Sequence, residues 1–364
     1  MENPIPDCPE ALVIVGSMPR GTIYGLYDIS EQIGVSPWYF WADVPTPQHT
    51  DIFVSRGERK VQGPPSVKYR GIFLNDEQPG LTNWVSEQWD DTWNDAAGYN
   101  HHFYALVGEL LLRLRANYLW ATLWASIFFT DDPLNQPLMY AYEIVMGSSH
   151  TEPLMRAQNE FLTYYEGPWQ YNENNKTIDE YFRYGVERAK PYERNSLWTM
   201  AMRGSGDTAI EGLGIDAITT MLETLVDNQR EIMAEGLGID IEDISTVPQL
   251  WCLYNEVQSY QERGLVVPGT PPPLLIKPAG LLQISLTHTR GYHSPLERRQ
   301  LGQCQEAATC QRDGPDRRSW RIVSRYFSFH NFVLTDQELQ LPFRLCGSCQ
   351  ELQMDQHDSA VENG

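Results

Sequence analysis

The chain has 364 residues, 41% of them hydrophobic, with 11 Trp, 19 Tyr and a formal net charge of -21. That apolar content excludes wholesale disorder, and the acidic balance argues against nucleic acid or an anionic membrane as partner, since phosphate binding needs a basic patch. No run approaches the length of apolar sequence a bilayer-spanning helix needs, and the first thirty residues lack the charged and apolar regions of a secretory signal.

In chain order, "LVIV" reads as a strand. "GTIYGLYDISEQIG" (Gly21 to Gly34) follows as a helix, with Ile23, Leu26, Tyr27, Ile29 and Ile33 at helical spacing. Together they make one β-α unit. "SPWYFWADVP" reads as an extended aromatic connection. "GPP" at 63–65 breaks the pattern, and a domain boundary is placed there.

Beyond the break, strands and helices alternate. "YRGIFLND" is a strand ending at Asp76, "HHFYALVGELLLRLRANY" an amphipathic helix, "LWATLW" strand-like, "PLMYAYEI" a short helix and "VMGSSH" a strand. "TIDEYFRYGVERAKPY" is a helix, "LWTMAMRGSGD" a strand entering a glycine-rich loop, and "DAITTMLETLVDNQREIMAEG" a long helix. "PQLWCLYNEV" is a strand, and "QSYQERG" starts another helix. Repeated βα units imply a parallel sheet. About five such units fit in 66–268, where a full (β/α)8 barrel needs eight.

The character of the chain changes near Pro268. Residues 269–364 hold ten cations, nine of them Arg, and ten anions, so 1–268 carry the whole negative charge. This tail shows no periodicity and is expected to be disordered or unreliable. Its "CGSC" (Cys346 to Cys349), with Cys304, Cys310, His330 and His357, raises a zinc reading, but the spacing fits no familiar finger and no metal is assigned.

Polar residues stand at the strand ends, which in a barrel form the active-site face. Asp76, Asp207 and Glu256 each end an apolar strand, and two carboxylates across a barrel mouth can serve as the acid and base of a glycosidase. Asp76 could equally be a helix cap or a solvated loop residue, and acidic residues at barrel rims are common. His150 and Glu152 in "SHTEP" could meet a substrate or make structural hydrogen bonds. Arg203 could fork onto a substrate carboxylate or pair with an acid of the cleft. Trp120 and Trp124 have equal claims as sugar platforms and as core.

At "RGTIYGLYDISEQIGVSPWYFWADVP", "VKYRGIFLNDE", "LLLRLRANYLW", "IVMGSSHTEPLMRAQ", "MRGSGD" and "PQLWCLYNEVQSYQERG" the sequence resembles glycoside hydrolase family 115, the xylan α-1,2-glucuronidases, over about residues 12–268. The resemblance implies the C-terminal part of an N-terminal α/β domain in 1–62 and the first βα units of a catalytic (β/α)8 barrel in 66–268. It implies removal of (4-O-methyl)glucuronic acid from glucuronoxylan or its oligosaccharides, with inversion, without a cofactor and outside the cell. A homodimer is compatible with the family. On the matching motifs Glu256 and Asp207 are the main catalytic candidates, Asp76 a third acid, and Arg203, His150 and Glu152 uronate or hydroxyl contacts. The sequence departs from the family pattern at three places: Ser205 stands where a second acid is usual, Thr151 where a histidine is, and "LWATLW" where "LWPAMW" is commoner.

The family pattern is absent from 269–364 as written. Yet Leu296 to Gln311, back-translated and read one base out of frame, yields "WSDDNWGNARRLPLA", and Arg344 to Ser359 yields "DYVGPVRNYKWINTI", both family-like. The stretches Gly269 to Arg290 and Arg325 to Leu341 then read as unspliced introns of a fungal gene, and the tail as an out-of-frame artefact. On this reading the chain is a fragment, expected to be unstable and inactive, or a non-catalytic carbohydrate-binding remnant.

Overall fold

The computed structural model describes residues 12–53, 59–89 and 98–262, and the strand backbones at 281–286 and 343–345. Strand β1 (Leu12–Ile14) precedes helix α1 (Pro19–Gln32). Then come β2 (Gly71–Phe73), α2 (Leu81–Gln88), α3 (His101–Arg113), β3 (Tyr118–Trp120), α4 (Phe128–Asp131), α5 (Asn135–Ala141) and β4 (Val145–Gly147). They are followed by α6 (Gln158–Tyr164), α7 (Tyr171–Ala189), β5 (Trp198–Thr199), α8 (Ile215–Leu237), β6 (Gln249–Tyr254), α9 (Glu256–Glu262), β7 (Leu281–Leu286) and β8 (Phe343–Leu345). Among the described residues no helix is long and apolar enough to cross a membrane.

The strands pair in chain order. β2, β3 and β4 form one parallel sheet and β5, β6 and β7 another. A parallel bridge between Met146 and Ser196 joins the two, and the Leu197 amide donates to the Met146 carbonyl at 2.9 Å. Six parallel strands therefore run side by side with helical crossovers between most of them, so their C-terminal ends share one rim. β6 is apolar or buried on both faces along almost its whole length, the signature of a central parallel strand.

Local signals account for the main helices. Asn100 caps α3, its side-chain oxygen accepting from the amides of His102 at 3.0 Å and Phe103 at 3.2 Å. α8 buries Ile218, Leu222, Leu225, Val226, Ile232 and Met233 against α7 and stops at Gly238, whose φ of 75° is the left-handed cap a glycine tolerates. Two large apolar clusters result. One lies under α7, α8, β5 and β6 around Trp198 and Trp251. The other lies under α1, α3 and β3 around Phe103 and Leu119. Tyr24 of α1 is part of the second cluster, and its hydroxyl donates to the Ala116 carbonyl at 2.8 Å, so α1 packs onto α3 across the "GPP" break.

Several expectations need correction. "SPWYFWADVP" is folded into turns, not extended: the Ala42 amide donates to the Trp38 carbonyl at 3.0 Å. "LWATLW" is strand only to Trp120; the rest is a loop that bends from Trp124. The short helices α2, α4 and α6 have too few turns to show periodicity in sequence. Within 269–364 two strand backbones are described: β7 runs parallel to β6, and β8 pairs antiparallel with β1. The Cys346–Cys349 pair, Cys304, Cys310, His330 and His357 lie outside the described residues.

Candidate active site

The rim at the C-terminal ends of β4, β5 and β6 gathers most of the residues singled out from sequence. After β4 comes Ser148-Ser149-His150-Thr151-Glu152, after β5 the loop carrying Arg203 and Asp207, and after β6 the turn Tyr254-Asn255-Glu256. These connections are held in unusual backbone geometry. Ala201, Asp207 and Asn255 have φ values of 70°, 61° and 50°, a region L-residues enter at a cost that surrounding contacts must offset. At Ala201 the contacts are plain. Buried Gln229 on α8 accepts from the Ala201 amide at 2.7 Å and donates to its carbonyl at 3.1 Å.

Arg203 is the centre of the cluster. Its Nε donates to Glu256 Oε1 at 3.0 Å and its Nη2 to Glu256 Oε2 at 2.8 Å, a two-pronged contact. Its Nη1 donates to the Asp207 carbonyl at 3.0 Å and to Asp207 Oδ1. The guanidinium thus lies between the two strand-end carboxylates and is nearly buried, its side chain 4% exposed, while those of Asp207 and Glu256 are 38% and 20% exposed. The ring of Tyr254 covers it, 4.9 Å from the guanidinium carbon.

The other face of Tyr254's surroundings is His150, with ring centroids 4.2 Å apart. His150 Nε2 lies 2.9 Å from Asp207 Oδ1, and Nδ1 lies 2.6 Å from Ser149 Oγ. Burial, with the positive charge of Arg203 adding to it, pulls the imidazole pKa down to about 4 against the opposing pull of Glu152 and Glu256. At neutral pH the contact with Asp207 is therefore a neutral N–H donating to a carboxylate, with Nδ1 left to accept from the Ser149 hydroxyl.

Glu152 is buried, and burial raises its pKa, with the charge of Asp76 adding to the rise while Thr151 and His150 oppose it. Thr151 Oγ1 donates to Glu152 Oε1, so the threonine that departs from the resemblance is a direct partner of this acid. Glu152 Oε2 is buried with no hydrogen-bond partner among the described residues. Burial thus disfavours the charged form of this carboxyl.

The remaining candidates divide. Asp76 is buried, and Oδ2 accepts from the amides of Ala125 and Ser126, both at 2.7 Å, and from Ser126 Oγ at 3.1 Å. It anchors the loop after β3, close enough to Glu152 to influence it. Trp120 is interior: it packs edge-on to Phe73 and its indole N–H donates to the Tyr118 hydroxyl. As a buried strand residue it cannot be an open sugar platform, which corrects that reading. Trp124 is 46% exposed on the loop that Asp76 anchors. Ser205 is exposed, its carbonyl accepting from Thr208 Oγ1 at 2.9 Å.

Sequence reasoning missed Tyr254 and Gln158. Gln158 Oε1 accepts from the Gly206 amide at 2.7 Å, and its Nε2 donates to the Gly204 carbonyl at 3.4 Å, bracing the glycine loop next to Asp207. Both residues sit inside the motifs quoted above, but an uncharged side chain gives no signal of its own there. Among the described residues no group of three or more His, Cys, Asp or Glu is placed to hold a metal ion.

Comparison with known proteins bears on this arrangement. The family model described as glycosyl hydrolase family 115 matches residues 62–276. Among solved structures, a family GH115 4-O-methyl-α-glucuronidase, BtGH115A, with specificity for decorated arabinogalactans, superposes with a TM-score of 0.60 at 30% sequence identity, covering 70% of this chain and 33% of its own. This chain therefore spans about a third of that relative's length. No curated protein matches.

Proposed function

The chain belongs to glycosyl hydrolase family 115, and on that premise we propose that it recognises (4-O-methyl)glucuronic acid side chains of a polysaccharide and that Asp207 and Glu256 are its hydrolytic pair. Strands β2 to β7, parallel and in chain order, support reading the fold as part of a (β/α)8 barrel, whose chemistry sits at the strand C-termini.

The observation that carries the proposal is Arg203 set between the two carboxylates. The guanidinium holds the two carboxyl groups on separate nitrogens, and an inverting pair needs its carboxyls apart, with room for a water between them. The same fork suits a uronate carboxylate. A uronate that takes one edge of Arg203 frees the acid bound there for proton transfer. His150, whose single N–H faces Asp207, would then position that carboxylate without adding charge. The resemblance in sequence points to glucuronoxylan, and BtGH115A acts on decorated arabinogalactans. A guanidinium between two carboxylates supports a uronic acid as the sugar common to the two. Action on such polymers is expected outside the cell.

The test is to incubate the protein with glucuronoxylan and with glucuronic-acid-decorated arabinogalactan, following released uronic acid and its anomeric configuration by NMR. Release of the β-anomer from an α-linkage is expected. A protein that neither releases nor binds the uronic acid would end this reading.

A second reading, carbohydrate binding without turnover, is favoured by one observation: Arg203 pairs with both acids, and the nearby Ser205 offers no third carboxylate. Binding of glucuronic acid with no release from polymer identifies it.

A further inference from the structure

Asp76 and Trp124 are joined by a loop whose construction has no role in the cluster around Arg203. Every side-chain oxygen contact described for Asp76 goes to Ala125 and Ser126, the two residues that follow Trp124. The same short loop is fastened elsewhere. Asn159 Nδ2, on α6, donates to the Trp124 carbonyl. Asp131 Oδ2 accepts from the Ile127 amide at 2.5 Å. Thr122 and Ser126 share a hydrogen bond of 2.5 Å, and the Tyr104 hydroxyl reaches Thr122 Oγ1 at 2.8 Å. Residues 122–127 are thus tied to β2, α3, α4 and α6, yet the tryptophan at their centre is 46% exposed.

A large apolar ring in water is ordinary on a flexible loop. On a loop tied at so many points it is a pre-organised flat surface, whose ordering cost has already been met by folding. It stands at the β3 end of the rim that carries Arg203, and Asn159, which holds the Trp124 carbonyl, adjoins Gln158, which braces the glycine loop beside Asp207. Stacking on a pyranose face uses such a surface, because the axial C–H groups of the sugar meet the electron-rich ring. The uronate carboxylate is served by Arg203, so the ring stands free for a neighbouring sugar.

We propose that Trp124 stacks on a main-chain pyranose next to the uronic acid branch, and that Asp76 is a positioning residue that holds this platform and not an acid of the reaction. The proposal rests on the functional reading above and extends it from the branch sugar to the chain that bears it.

The experiment compares two probes by calorimetry: glucuronic acid alone, and a xylo-oligosaccharide carrying one glucuronic acid branch. Trp124→Ala weakens the oligosaccharide roughly 2- to 10-fold, as expected for one aromatic contact, and leaves glucuronic acid unchanged. Asp76→Ala reproduces that pattern and adds nothing in a Trp124→Ala background. Asp76→Asn retains binding, since its amide oxygen accepts from the same two N–H groups. Hydrogen exchange gives a ligand-free check: the amides of Ala125 and Ser126 lose protection in Asp76→Ala and keep it in Asp76→Asn. Wild type binding both probes, with Trp124→Ala binding the oligosaccharide as tightly, overturns the platform. Equal loss of both probes in Asp76→Asn, or undiminished amide protection in Asp76→Ala, overturns the positioning role. Wild type binding neither probe overturns the functional reading, and this inference with it.

Discussion

Arg203 and Glu256 meet edge to edge, Nε to Oε1 at 3.0 Å and Nη2 to Oε2 at 2.8 Å, although 53 residues separate them in sequence. The pairing brings together the ends of two adjacent strands, and it places Asp207 on the remaining nitrogen of the same guanidinium. One cation thereby organises both candidate acids and keeps them apart.

Replacing Arg203 by Lys tests this organisation. A lysine keeps the charge and loses the planar fork. Affinity for glucuronic acid, measured by calorimetry, should fall roughly 10- to 100-fold, the scale of hydrogen bonds to charged groups. Unchanged affinity would show that the carboxylate of the sugar is read elsewhere.

Acidity should act on the fold through His150. In the unfolded chain its imidazole takes a proton near pH 6.5, while the folded one stays neutral down to about 4. Between those values the unfolded state binds more protons, so this contribution is full above 6.5 and is lost as the pH falls toward 4. Glu152 works in the opposite sense. Its raised pKa gives a contribution present below its ordinary value of 4.5 and lost as the pH rises through the folded value. Thermal melts from pH 7 to 4 should show a decline that His150→Gln reduces. A His150 NMR titration midpoint near 6.5 would contradict the assignment of a buried neutral imidazole.

The strained backbone at Ala201 depends on Gln229. Gln229→Leu keeps the volume roughly and removes both hydrogen bonds, leaving the Ala201 amide and carbonyl unpaired in a buried place. The expected loss of stability by denaturant titration is about 2–5 kcal/mol. Because Ala201 opens the segment that carries Arg203, uronate affinity should fall with it.

β2 and β3 approach too closely for a side chain at Gly71, where a Cβ would overlap the carbonyl oxygen of Tyr118. The obstacle is backbone, which cannot swing aside. Gly71→Ala should cost at least ~1–3 kcal/mol, seen as a lowered melting temperature. An unchanged melt would mean the two strands are farther apart than described here.

Much of the frame was legible in the sequence because it is written in local periodicity and in punctuation. The apolar spacing of α3, α7 and α8 and the glycine after α8 needed no partner to be read. The alternation of strand and helix was enough to expect parallel strands with acids at their ends. The short helices α2, α4 and α6 were not legible, and neither was β8, whose partner β1 lies near the other end of the chain. Such elements are stabilised by what they pack against and not by their own propensities.

For the site, the sequence by itself determined which residues carry charge and that they end strands. Only the tertiary structure decided their company: that Arg203 spans Asp207 and Glu256, that Thr151 serves Glu152, that Asp76 turns to the Trp124 loop, and that Trp120 is buried while Trp124 is not. The reason is physical. A side chain's type is fixed by its codon, but its partners and its exposure to water are fixed by distances between strands that the chain brings together only on folding. Those distances set whether a carboxylate is an acid, a cap or an anchor.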